Sequence, residues 1–174
     1  MAEQEMQELL DSSENTPILN NNDDIQNMLQ SETDTNDCII AIHDYVGKLS
    51  NWGEDIDNLT EPQKIFYLNQ IFEMEVNNGG ISQYFFNSGK YAHETVNSLK
   101  AIGALKTAKI LQKSIDKFPK AIVPKDDDKR EDILEKMEEK NDSIWDKLED
   151  KFYEYEDNLN DLNIVYIKQH ITDF

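Results

Sequence analysis

A chain of 174 residues has the length of one compact domain with a short appendage, and not of two full domains. Thirty-six acidic side chains face seventeen basic ones, giving a formal net charge of −19, and Arg130 is the only arginine. Direct binding to nucleic acid or to an anionic membrane surface needs clustered cations and is disfavoured, whereas a cation, a basic protein or plain solubility fits the charge.

In chain order, the opening Met1-Ala-Glu-Gln-Glu carries neither the basic nor the apolar stretch of a secretory leader. Residues 2–10 read as a helical turn or two with Met6, Leu9 and Leu10 on one side. The polar segment 12–22, with Pro17, reads as a loop. Ile25, Met28 and Leu29 mark a short amphipathic helix over about residues 23–31. Residues 1–35 are therefore expected to be an acidic arm of short helices or partial disorder, set against a main domain over 36–174. Cys38, Ile39, Ile42, Val46 and Leu49 recur at helical spacing behind an Asn36 or Asp37 cap, and Trp52-Gly53 ends that helix. Thr60-Glu61-Pro62-Gln63 is a strong helix start, with a capping box and Pro in the first turn. That helix runs through Phe66, Ile71, Phe72 and Val76 to Asn77-Asn78-Gly79-Gly80, where glycine supplies a C-cap.

A short aromatic helix over 81–87 stops at Ser88-Gly89. Helices over 91–102 and 104–118 are hinged at Gly103. The longest helix is expected over about 128–157, where Ile133, Met137, Ile144, Leu148, Phe152 and Tyr155 step by three, four or seven. A last helix over 160–172 presents Leu162, Val165, Tyr166 and Ile171. No convincing period-2 strand appears, so the fold class is all-α: a single compact multi-helix domain with a long acidic C-terminal helix. No apolar run approaches the roughly 18 residues needed to span a bilayer. The lone Cys38 cannot close a disulfide within the chain, which suits a reducing, cytoplasmic setting.

Charge divides the chain into three territories. Residues 1–61 hold fifteen acidic groups against Lys48 alone, residues 62–125 hold four against nine lysines, and residues 126–174 hold seventeen against seven basic groups. Within the last, Glu131, Glu135, Glu138, Asp142, Asp146 and Glu149 follow one another at three- or four-residue steps. On one helix these form a row at rungs of roughly 5 to 6 Å. Carboxylates so spaced accept charge-assisted hydrogen bonds from Arg or Lys as phosphates do. The same run also reads as a solvated face, laced by Lys136, Lys140, Lys147 and Lys151.

The sharpest signature is Glu73-Met-Glu-Val-Asn-Asn-Gly-Gly-Ile-Ser-Gln-Tyr-Phe-Phe-Asn-Ser-Gly89. An enzyme would use Glu73 or Glu75 as a general base near Asn78 and Gln83. A folding element would use Asn77, Asn78, Gln83 and Asn87 to satisfy backbone groups freed at helix ends, and that reading is preferred. No Ser–His–Asp, Cys–His or phosphate-loop arrangement supports catalysis, and Gly79-Gly80 is not a dinucleotide fingerprint. Asp126-Asp127-Asp128 lacks the glycine and terminal Glu of a calcium loop. His43, His93 and His170 stand apart in sequence, so no metal is expected, nor any cofactor. Trp52 and Trp145 read as core or dimer-contact residues.

The stretch from Glu75 through Asn77, Asn78, Gly79 and Gly80, then Gln83, Tyr84, Phe85, Asn87 and Gly89, resembles the central motif of the bacterial DNA-mimic protein C-terminal domain family. The frame is similar too, in a helix opening with Glu61-Pro62-Gln63 and carrying Phe66 and Tyr67, and in Leu99-Lys-Ala-Ile-Gly-Ala104. The resemblance covers roughly residues 38–120 well, weakens over the acidic C-terminal helices and is absent over 1–35. It implies an all-helical, acidic homodimer that occupies the DNA-binding face of a transcription factor, and with no catalytic arrangement in the sequence the chain is read as no enzyme. The motif itself carries few carboxylates, so the mimicking row would lie outside it. The remaining alternatives are an immunity- or antitoxin-like inhibitor of a cationic nuclease, and the family fold without mimicry.

Overall fold

The structure is a computed structural model that describes residues 17–141 and 143–174. The expected short helix over 2–10, with Met6, Leu9 and Leu10, lies outside the described residues, as does Asp142. Among the described residues there is no strand, and the fold is all-α in a single compact domain.

Helix α1 spans Asn22–Gln30, with the Asn21 side chain accepting from the Asp24 amide at its start. It buries Ile25 and Met28, so this part of the acidic arm packs on the body. The Asn22 side-chain amide also donates to the Ile171 carbonyl. Helix α2, Thr35–Leu49, starts one residue before the expected cap, because Asp34 accepts from the Asn36 amide at 2.8 Å. Helix α3, Glu61–Ser88, opens on the expected capping box: the Gln63 amide donates to Thr60 Oγ1 and the Thr60 amide to Gln63 Oε1.

α3 is bent at Gly79 and Gly80, where φ is −158° and 79°, so the expected pair of helices forms two limbs of one bent element. Helices α4, Ala92–Ala101, and α5, Leu105–Ile115, pack on each other and α4 on α3. They turn at Gly103, whose φ of 87° is open to glycine and costly for other residues.

The C-terminal third departs from the sequence expectation. In place of one helix over 128–157 there are two, α6 over Asp127–Glu138 and α7 over Asp146–Tyr153. From Glu138 to Ser143 the chain offers no apolar side chain, so nothing in that stretch holds a helix against the core. The break lets Trp145 turn inward to Phe85 and Phe118, with ring centroids 5.2 and 6.2 Å away. Helix α8, Leu159–Gln169, then packs against α2 and α3.

The core has two centres joined by α3. One gathers Phe72, Tyr84, Phe85, Leu111, Trp145 and Phe152 around the bend. The other gathers Ile25, Ile42, Val46, Phe66, Ile167 and Phe174. Several rings meet edge to face, as with Phe72 and Tyr84 at 4.9 Å and 89°, an arrangement that ring quadrupoles favour. No described helix is long and apolar enough to cross a membrane.

Candidate functional site

The signature segment sits at the bend of α3, and α7 with its tail closes over it. Glu149 accepts from the Ile81 amide at 2.8 Å, capping the second limb. Tyr153 donates its hydroxyl to the Val76 carbonyl at 2.8 Å, at the end of the first limb. Asn77 Nδ2 donates to the Tyr155 hydroxyl at 2.6 Å. Gly80 must be bare: a Cβ there would stand 2.5 Å from Glu149 Oε1. At Gly79 the place of a Cβ is taken by the Gln83 amide oxygen, so a side chain there would push the Gln83 amide aside.

Within the segment, Glu75 Oε2 accepts from Gln83 Nε2 at 2.8 Å and Asn87 Nδ2 at 2.9 Å, which ties the two limbs together. Tyr84 is fully buried and donates to Thr95 Oγ1 at 2.9 Å, and burial pushes its hydroxyl pKa well above the ordinary tyrosine value. Burial also raises the Glu73 carboxyl, against the pull of hydrogen bonds from Tyr155 and Gln70. Asn78 is exposed. The signature thus builds a capped helix junction, and Glu75, the candidate base, holds two amides there.

Gly89 and Phe85 serve another buried group. The Arg130 side chain, 2% exposed, runs past Gly89, where a Cβ would stand 2.7 Å from Arg130 Cδ. It donates to the carbonyls of Phe85, Phe86, Pro124 and Lys125 and to Asp127 Oδ1. The only arginine is therefore a structural pin between the end of α3 and the start of α6.

The six carboxylates expected in one row do not share a helix. Glu131, Glu135 and Glu138 lie on α6, Asp146 and Glu149 lie on α7, and Asp142 lies outside the described residues. Two of the five described turn inward: Glu149 onto Ile81, and Glu138 onto the Ser82 hydroxyl. Acids at the N-terminal turn of the second limb complement its dipole. Glu131, Glu135 and Asp146 remain exposed. Asp128, exposed three residues before Glu131, extends the α6 row and was not among the expected six. None of these four exposed carboxylates has an ion-pair partner among the described residues.

A basic face offsets this acidity. Lys106, Lys109 and Lys113 of α5 line a groove with Lys151 of α7, and Lys113 and Lys117 line a second with Lys147. Of these six, only Lys106 has an ion-pair partner among the described residues, Glu156. Four of the nine lysines of the basic middle, Lys106, Lys109, Lys113 and Lys117, thus gather on the side that faces α7.

Residues 57–170 match the family model described as DMP19-like protein. The chain belongs to the DMP19-like family. The DMP19-like region begins just before the capping box and ends with α8, so it takes in the α3 junction, Arg130 and both acidic helices. It starts later than the resemblance read from the motif and reaches further, across α6 and α7. No curated protein and no solved structure matches the chain.

Proposed function

We propose that this chain is a non-catalytic acidic binding protein that occupies the DNA-binding face of a basic DNA-binding protein in the cytoplasm. Membership of a DNA-mimic family supports the reading. The observation that carries it is the exposed, unpaired series Asp128, Glu131 and Glu135 on α6. Steps of three and four residues place these carboxylates roughly 5 to 6 Å apart along the helix. An Arg or Lys that meets a phosphate on DNA meets a carboxylate acceptor here, with the same release of counterions. The carboxylates of the α3 junction are engaged in holding the fold, which favours binding over catalysis.

The test is capture of partners from the native host lysate on immobilised protein at low salt, followed by a salt gradient. One DNA-binding protein should elute over a narrow salt range and be displaced by duplex DNA. The combined variant Glu131→Lys, Glu135→Lys should lose it. Capture that survives both duplex competition and the double reversal would rule the reading out. A captured cationic nuclease would instead favour the inhibitor alternative.

A further inference from the structure

Between the end of α2 and the first limb of α3 lies a cavity of about 470 Å³, and it is walled by rings. His43 stacks on Tyr67 with centroids 5.5 Å apart and planes 6° from parallel, and Trp52 tilts against His43 at 6.2 Å. Tyr91 completes the wall and carries Lys90 Nζ 5.0 Å from its ring centroid. A cation therefore already rests on one face of this wall.

The backbone is arranged to put Trp52 there. Asn51, Trp52 and Gly53 run through three successive positive φ values, 49°, 56° and 91°. Such conformations are costly for a bulky side chain and persist where the surroundings impose them, often at ligand sites. Gly47 leaves the space in which the indole lies, since a Cβ there would stand 2.8 Å from the ring. Tyr91 ties the turn down by donating to the Gly53 carbonyl at 3.2 Å. The indole nevertheless remains 54% exposed, so core burial is not what this strained turn achieves.

Two carboxylates, Glu54 and Glu75, are among the groups that line the cavity. Burial lowers the His43 pKa, which favours the neutral ring and so an uncharged face in the wall. Glu75 uses Oε2 for Gln83 and Asn87, leaving Oε1 without a hydrogen bond among the described residues. Glu54 lines the mouth. An anion would meet two carboxylates against Lys90 alone. A purely apolar ligand would strip water from those carboxylates without replacing its hydrogen bonds. A planar cation with several N–H donors satisfies both the ring faces and the acceptors. A guanidinium meets that description better than the more strongly hydrated ammonium.

We propose that this cavity receives the guanidinium of an arginine side chain presented by a protein partner. The inference shares with the reading above only a basic partner. The two surfaces have no residue in common, and His43 and Trp52 precede the stretch that matches the family model.

The experiment titrates the full chain with the peptide acetyl-Gly-Arg-Gly-amide, and with its lysine and citrulline counterparts, at moderate salt. Binding is followed by NMR on the Trp52 indole N–H, assigned by its loss in Trp52→Phe. The arginine peptide should give a saturable shift, the lysine peptide should bind at least about tenfold more weakly, and the neutral citrulline peptide should not bind. Trp52→Ala and Glu75→Gln should each weaken binding several-fold. The Trp52→Ala arm, read on the remaining shifting amides, stands even if Glu75→Gln disturbs the junction. Equal binding of arginine and citrulline, equal binding of arginine and lysine, or an unaltered affinity in Trp52→Ala would each overturn the proposal. The Glu131→Lys, Glu135→Lys variant should keep the arginine shift, so loss of mimicry and loss of the cavity ligand are distinguishable.

Discussion

Arg130 shows how far one residue's role can be hidden in a count. Its Nε–H and both Nη groups donate within the fold, chiefly to carbonyl oxygens of the last turn of α3 and of the 124–125 loop. Those carbonyls carry the negative end of the helix dipole, so a buried cation is matched without a buried carboxylate. The Asp127 carboxyl, which is exposed, is held below its usual range by its hydrogen bond to Arg130. With a depressed folded pKa, its contribution is present at neutral pH and is lost as pH falls through the acid range. Arg130→Met should cost about 3 kcal/mol or more, since several buried acceptors lose their donors. In a chain of this size that is a fall in Tm of roughly 6 to 12 °C. Arg130→Lys should recover little of it, because one ammonium cannot reach acceptors spread as a fork. Thermal melts of both variants check this, and a wild-type Tm for the lysine variant would show that the fork is unused. In the sequence Arg130 is only the lone arginine, and what makes it structural is Gly89, forty-one positions earlier. His43 and Tyr91 stand forty-eight positions apart, with Tyr67 and Glu75 between them, so the ring-walled cavity left no local pattern to read.

Helix starts and stops were largely legible, because caps are local chemistry. Thr60, Pro62 and Gln63 open α3 as their types require, and the Asn-Asn-Gly-Gly run bends it where a left-handed residue is needed. What was missed is the break between α6 and α7. Its signal was present as the seven-residue gap from Met137 to Ile144, a full two turns with nothing to bury. That break is what frees α7 to cap the bend of α3 with Glu149, and it turns part of a supposed binding row into scaffold. Gly80→Ala tests this coupling. The new Cβ meets Glu149 Oε1 at a residue with φ of 79°. The variant should lose about 2 kcal/mol from strain and a displaced cap together. Glu149→Gln keeps an acceptor oxygen and should lose about 1 kcal/mol or less. Denaturant titrations measure both. Equal stability of Gly80→Ala and wild type would mean that the α7 cap is not a constraint on the bend.

Across the whole molecule, a net charge of −19 sits on a fold whose ion pairs are mostly at the surface. Lys48 with Asp44, Lys125 with Glu94 and Lys136 with Asp132 are all substantially exposed, and such pairs contribute little. Repulsion among the excess carboxylates should therefore outweigh attraction in the salt dependence of stability. Raising salt from about 0.01 M to 0.15 M shortens the screening length from roughly 30 Å to 8 Å, and the Tm should rise. At low salt the Glu131→Lys, Glu135→Lys variant should melt no lower than wild type, because it relieves repulsion on α6 and breaks no ion pair there. Melting curves at the two salt levels measure both effects. A wild-type Tm that falls with salt would mean that attractive pairs dominate, and the acidic surface would then be part of the folding chemistry. A rising Tm, with a double variant that is as stable as wild type, would leave the α6 carboxylates unexplained by the fold, which is the condition for assigning them to a partner.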